Sequence, residues 1–162
     1  MYLLRPLKAQ DNATIAQIIR TVSQEFGLAS DAGFAVSDPV LDDLCQVYRQ
    51  SDACYWVVTD SKGHVFGGGG IAPLQGGSSV LEIQKMYFLP EIRGQGLAKT
   101  LLEHCFHFAR QHGYPTVYLE TTSALYQAVQ LYEELGFIRL EQPLGNTGHS
   151  GACELWMSRK IF

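Results

Sequence analysis

The hydrophobic pattern changes period several times, and each change predicts an element. Residues 2–5 are apolar and short, closed by Pro6, and predict a strand. Asp11-Asn12 stand where a helix cap belongs. Ile15, Ile18, Ile19 and Val22 then form one apolar stripe, predicting a helix to about Glu25. Residues 26–38 keep no period and read as a loop or lid, and Asp38-Pro39 open a second helix to about Arg49, with Leu41, Leu44, Cys45 and Tyr48 inward. The spacing then turns to that of strands at residues 54–59, 65–73 and 80–89, joined by the turns 60–63 and 75–78. The run Gly67 to Gly70 invites a phosphate-cradle reading. No helix start follows it, so it reads instead as a strand that bulges or passes close to another backbone.

Beyond residue 96 the period becomes helical again, with Leu97, Leu101, Cys105, Phe108 and Ala109 on one face. The helix runs to about His112, with Gly113 past its end and Pro115 beyond. Residues 116–121 predict a buried strand. Ser123 is placed to cap a helix over 124–135, and Gly136 ends it. Strands at 137–140 and 153–159 follow, with a polar loop at 142–151 between them. The predicted order is β-α-α-β-β-β-α-β-α-β-β. No repeat or linker interrupts it, so one domain over 1–162 is expected.

The centre of this pattern is VLEIQKMYFLPEIRGQGLAKTLL, residues 80–102. A strand entering a glycine turn that opens a helix aims free backbone N–H groups and the positive end of the helix dipole at one point, which suits a phosphate. Side chains at Gly94 and Gly96 would block that approach, and Arg93 adds a permanent cation. Lys99-Thr100 imitate the end of a P-loop, but Arg93 and Ala98 stand where that motif needs glycine. A dinucleotide fingerprint fails at Lys99, the place of its third glycine.

Arg93 to Ala98 do match Gln/Arg-x-x-Gly-x-Gly/Ala, directly after a strand ending Tyr-Phe-Leu-Pro. Residues 128–137, AVQLYEELGF, match Ala-x-x-Leu-Tyr-x-x-x-Gly-Phe. In this order and separation the two blocks resemble the GNAT superfamily of N-acyltransferases. The resemblance spans essentially the whole chain and implies an α/β (α+β) fold: a mixed, mostly antiparallel sheet of about seven strands with helices on both faces. It further implies acetyl-CoA as co-substrate, with the pyrophosphate at Arg93, Gly94, Gln95, Gly96, Leu97 and Ala98. The pantetheine arm would lie in a V-shaped gap beside the central strand at Met86, Tyr87 and Phe88. A backbone N–H of Met86 or Phe88 would then face the thioester oxygen. The family often carries Asn two turns before its tyrosine. Here that position is Leu125, which leaves Ser123 or Gln127 to replace the contact.

Two residues are candidates for proton transfer. An alkyl ammonium with a pKa near 10.4 is neutral in only about one molecule in two thousand at pH 7, so a base helps. Glu82, a carboxylate inside an apolar strand, is the candidate, with Gln84 on its face; the plain alternative is an exposed or salt-bridged residue. Tyr132 reads by pattern as a core tyrosine, among Leu125, Ala128, Val129 and Leu135. The resemblance points it at the CoA sulfur as general acid for the leaving thiolate. No Cys or Ser shows a paired base, which favours direct attack over a covalent intermediate.

Composition narrows the class. The chain is 46% hydrophobic and 17% charged, as folded proteins are. Its net charge of −4 speaks against a nucleic-acid partner and mildly for cationic substrates. No apolar run reaches about 18 residues, so no membrane span is expected. The N-terminus is too short in its apolar part for a signal peptide, and the four scattered cysteines read as free thiols, so a cytoplasmic location is expected. His104 and His107 lack a third ligand, and no metal is expected. His149 and Asn146 are further candidates for contacting the acceptor. The expectation is an N-acetyltransferase acting on a primary amine of a small molecule, such as an amino acid or polyamine, or of a peptide, with the acceptor site shaped by residues 26–38, the second helix and residues 142–151. The alternative is a non-catalytic acyl-CoA sensor. The final strands offer an edge through which a homodimer could pair.

Overall fold

The computed structural model describes residues 1–28 and 33–162; of the expected loop 26–38, residues 29–32 lie outside the described residues. A seven-stranded sheet runs in the order β1-β2-β3-β4-β5-β7-β6. The strands are β1 (Leu3–Pro6), β2 (Cys54–Thr59), β3 (Val65–Pro73), β4 (Val80–Phe88), β5 (Thr116–Thr121), β6 (Ile138–Arg139) and β7 (Leu155–Lys160). Every neighbouring pair is antiparallel except β4 with β5. Helices α1 (Asn12–Glu25) and α2 (Leu44–Val47) cover one face, and α3 (Leu97–Gln111) and α4 (Tyr126–Glu134) the other. The strand alternation feeds both cores: Tyr55 and Val57 pack with α1 and α2, while Trp56 between them packs with α3.

The order and the mixed sheet are as the pattern predicts, but several boundaries differ. The second helix is much shorter than expected. A 3₁₀ turn, Leu41–Asp43, leads into only four α-helical residues, and Asp38 accepts the N–H of Val40 instead of starting a helix. Asp11 does not cap α1 through its side chain. Its carboxylate accepts two bonds from Arg5 and one from the Lys8 N–H, while Asn12 bridges to Asp43 and to the Cys45 N–H. Ser123 does not cap the last helix either. Thr122 does so for the 3₁₀ turn Ser123–Leu125, accepting from the Ala124 N–H. Gly113 and Gly136 end α3 and α4 with φ of 73° and 88°, as expected of residues past a helix end.

The glycine run has a structural reason. A Cβ on Gly67 would meet the Tyr87 carbonyl at 2.5 Å, and one on Gly70 would meet the rings of Tyr48 and Tyr55 at 2.7 Å each. Both tyrosines cross over β3 at this point and reach β4, where Tyr48 Oη donates to Gln84 Oε1 (2.7 Å) and Tyr55 Oη donates to the Lys85 carbonyl (2.8 Å). The bulge lies on β4 and not in the glycine run. Gly68 faces Tyr87 and Gly70 faces Gln84, so β4 inserts one extra residue opposite Gly69. Lys85 takes the strain there, with φ of 50°. The insertion reverses side-chain parity: Leu81 and Ile83 face α3, and after the bulge Met86 and Phe88 do, while Tyr87 turns to α1.

Gly70→Ala is expected to cost about 1–3 kcal/mol in denaturant unfolding, because two rings must shift. Gly151→Ala, where a Cβ meets nothing within 4 Å, is expected to be near neutral. Equal effects at the two positions would contradict this packing.

Candidate active site

Strand β4 pairs with β5 only through Val80–Thr116, Leu81–Val117 and Glu82–Tyr118. Beyond Glu82 the two strands part, and one edge of β4 is left open. Leu89 donates its N–H to Phe66 on the β3 side, so by alternation Phe88 and Met86 direct their backbone groups to the open side. A cleft of about 840 Å³ begins there, lined by Met86, Tyr87, Phe88, Arg93, Gly94, Gly96, Leu97, Ala98, Gln127 and Tyr132, among others. Nearly all of the expected coenzyme contacts are thus brought together.

Gly94 and Gly96 have φ of 72° and 76°, a region that favours glycine, and open space surrounds the place of a Cβ on either. The N–H groups from Gly94 through Lys99, in the turn and first residues of α3, have no protein acceptor among the described residues. Two of the expected contacts sit elsewhere. Gln95 donates its side chain to the Glu91 carbonyl and does not line the cleft. Ser123, also outside it, donates its N–H to Glu154 Oε1 (2.6 Å). Gln127 lines the cleft.

Arg93 does not stand as an uncommitted cation. Its Nε donates to the Phe88 carbonyl (2.9 Å), its two terminal nitrogens bind Glu25 (2.6 and 2.7 Å), and it stacks over the Phe26 ring at 5.3 Å. It fastens the end of β4 to the end of α1. The cation in the cleft without an ion-pair partner among the described residues is Lys99, in the first turn of α3. Tyr126, 66% exposed, lines the same wall. The sequence pattern marks neither as a site residue: Lys99 sits in an incomplete phosphate-loop match, and Tyr126 falls on the exposed side of its helix.

A smaller cavity of about 230 Å³ adjoins the cleft along β4. Glu82, Gln84 and Lys85 line it, together with Phe34, Asp38, Val47, Glu120, Thr147 and His149. All three segments expected to shape an acceptor site therefore reach it. Asn146 is not in its lining; its N–H donates to the Gln75 carbonyl. The two cavities share Met86, Tyr87, Leu125 and Tyr132.

Glu82 is 8% exposed. Gln84 donates to its Oε1 at 2.5 Å, and the Tyr48 hydroxyl fixes the direction of that amide by donating to Gln84 Oε1. Burial raises the carboxyl to about 7, opposed by the Gln84 bond, aided by the charge of Glu120 and opposed again by Lys85. Tyr132 is 6% exposed and leans edge-on against Phe137. Burial first, then Tyr87 and Cys105, hold its phenol well above its ordinary pKa, so it carries its proton at neutral pH. Lys85, its side chain 6% exposed, pairs with Asp38 at 2.8 Å. Burial pushes the Asp38 carboxyl up, but Lys85 more than offsets this and holds it low. Burial and then Lys85 hold the His149 imidazole below its ordinary value. Cys153, the cysteine in the lining, is pushed up to about 12 by burial and by Glu120, Glu154 and Glu82, so its thiol stays protonated. Among the described residues, no group of three or more His, Cys, Asp or Glu is placed to hold a metal ion, and no helix is long and apolar enough to cross a membrane.

Comparison with known proteins agrees with this geometry. Residues 19–137 match the Acetyltransferase (GNAT) family. Over 160 residues the chain is 52% identical to an uncharacterised N-acetyltransferase, YjgM, of Escherichia coli K12, covering 98% of this chain and 95% of that protein. A GNAT acetyltransferase structure from Staphylococcus aureus superposes with a TM-score of 0.81 at 17% identity, covering all of both chains. The spermidine N-acetyltransferase of Vibrio cholerae, solved with CoA and spermine, gives 0.69 at 20% identity, over 99% of this chain and 95% of that one.

Gly96→Glu is expected to weaken acetyl-CoA binding at least about 100-fold, since it fills the turn, adds a repelling charge and strains the backbone. Calorimetric titration checks this, with circular dichroism confirming the fold. Retained wild-type affinity would place the phosphate site elsewhere.

Proposed function

The chain belongs to the GNAT acetyltransferase family and is an acyl-CoA-dependent N-acyltransferase; from that premise we propose that it moves the acetyl group of acetyl-CoA directly to the primary amine of a small molecule. The observation that carries this reading is the shared wall of the two cavities. Tyr132 and Met86 face both, so a thioester in the larger cleft and an amine in the smaller cavity would meet across them.

Each residue has a part in the transfer. Glu82 takes a proton from the incoming ammonium, leaving the neutral nitrogen to attack the thioester carbonyl carbon. The N–H of Met86 or Phe88, on the open edge of β4, faces the carbonyl oxygen as charge develops on it. The new C–N bond forms as the C–S bond breaks, and Tyr132 donates its hydroxyl proton toward the departing sulfur. With a thiol pKa near 8.5 and a phenol held above 10, this is a strong hydrogen bond to the thiolate; it becomes a proton transfer as the nitrogen, cationic after its attack, passes its second proton to the phenolate, while the first proton stays on Glu82 and then leaves to solvent. The protonated Cys153 thiol supports direct attack, because only a thiolate would accept the acetyl group first. A volume of about 230 Å³ is below the usual range for drug-sized ligands, which favours a small acceptor over a peptide chain.

Wild-type kcat/KM for the amine is expected to rise with pH to an inflection near 7, where Glu82 ionises, and then level off. In Glu82→Gln the rate should fall about 100-fold at pH 7. The inflection should vanish, leaving a continuous rise toward the amine's own pKa. A variant profile that keeps the inflection would remove Glu82 from the role of base. Tyr132→Phe is expected to lower kcat about 100-fold or more with acetyl-CoA affinity little changed, as rapid-mixing kinetics and titration would read. Undiminished turnover would sink the assignment.

A further inference from the structure

The charges around the smaller cavity do not balance. Three carboxylates line it, Glu82, Glu120 and Asp38, against one lysine, Lys85, already paired with Asp38 at 2.8 Å. His149 adds little positive charge, because burial disfavours its protonated form. Residues 29–32, Ala-Ser-Asp-Ala, contain no basic side chain. Glu120 has no cationic partner among the described residues. It accepts hydrogen bonds from three hydroxyls instead, those of Tyr118 (2.6 Å), Ser150 (2.8 Å) and Thr147. Glu82 is more than nine-tenths buried and lines the cavity, with only Oε1 bonded and Oε2 without a partner among the described residues. Both belong to one surface of the sheet. Glu82 stands beside Tyr118 across the parallel strands, and Glu120 follows Tyr118 by two residues, on the same face.

A buried carboxylate without a cation is costly, and a ligand bringing positive charge relieves that cost. An acceptor carrying its own carboxylate would instead add a like charge. Resting on the acetyl-transfer reading above, we infer that the acceptor is a small amine with a second positive charge and no carboxylate, such as a short α,ω-diamine. One nitrogen reacts at Glu82 while Glu120 holds the other. Glu120 is thus the residue that sets acceptor specificity, and the hydroxyls of Tyr118 and Thr147 suffice to keep its carboxylate facing the cavity.

The test compares α,ω-diamines of three to five methylenes with the matching monoamines and ω-amino acids. Thiol release from acetyl-CoA is measured with each. The best diamine is expected to exceed its monoamine by about 10-fold or more in kcat/KM, and the ω-amino acid to be poorer than both. In Glu120→Gln the diamine-to-monoamine ratio should collapse toward unity. Ser150→Ala removes one hydroxyl but keeps the charge, and should keep the ratio. Equal use of diamine and monoamine, preference for the amino acid, or a ratio that survives Glu120→Gln would each overturn the inference. Collapse of the ratio in Ser150→Ala as well would overturn it too, by showing that loop anchoring and not charge sets the preference. Calorimetry of the same diamines against the protein saturated with CoA separates this inference from the reaction itself. Binding that depends on Glu120 without thiol release would uphold the inference and defeat the acetyl-transfer reading. Absence of diamine binding would defeat the inference alone if monoamines are still acetylated.

Discussion

One inserted residue in β4 arranges both sides of the candidate site. The bulge opposite Gly69 reverses the parity of the strand, so residues on either side of it serve different faces. Before it, Glu82 and Gln84 face the smaller cavity. After it, Met86 and Phe88 pack toward α3, and their backbone groups lie along the open edge. Without the insertion, Met86 and Phe88 would follow Glu82 onto the opposite face. The positive φ at Lys85 is unfavourable, and the surroundings compensate for it: Tyr55 holds its carbonyl, and Asp38 pairs with its ammonium.

The glycine run and the two tyrosines belong to the same arrangement. Only a strand without side chains lets Tyr48 and Tyr55 lie across it. Through that crossing, α2 and β2 reach the bulge and fix the amide of Gln84, and through it the carboxylate of Glu82. A phenol, an amide and a carboxyl in series hold a buried acid whose pKa is raised to about 7, where a proton acceptor for an ammonium is useful at neutral pH. The parting of β4 from β5 after Glu82 leaves backbone groups along the open edge of β4.

Much of this was legible in the sequence. The strand boundaries of β2, β3 and β5, the glycine turn, and the placement of Glu82 and Tyr132 follow from period, turn chemistry and the two GNAT-like blocks. A buried carboxylate in a strand is a local signal, and it pointed to Glu82. The same signal stands at Glu120 in TVYLET, but partners from the loop at 142–151, far along the chain, give it its meaning, and no local pattern records them. Arg93 illustrates the opposite failure. Its charge was evident, but the Glu25 that neutralises it lies 68 residues earlier, and no local pattern records such a pairing. The short α2 is a further case. Its apolar spacing suits a helix, yet Asp38 pairs with Lys85, 47 residues further along the chain, and accepts the Val40 N–H instead of opening a helix.

The proposed transfer needs the two cavities to meet at Tyr132 and Met86, with acetyl-CoA in the larger. The most direct measurement is a calorimetric titration of the protein with acetyl-CoA, followed by assay of free thiol as small primary amines are added. Saturable one-to-one binding, with thiol released in step with amine consumed, is the predicted result. No binding of acetyl-CoA to the folded protein would contradict the account at its centre.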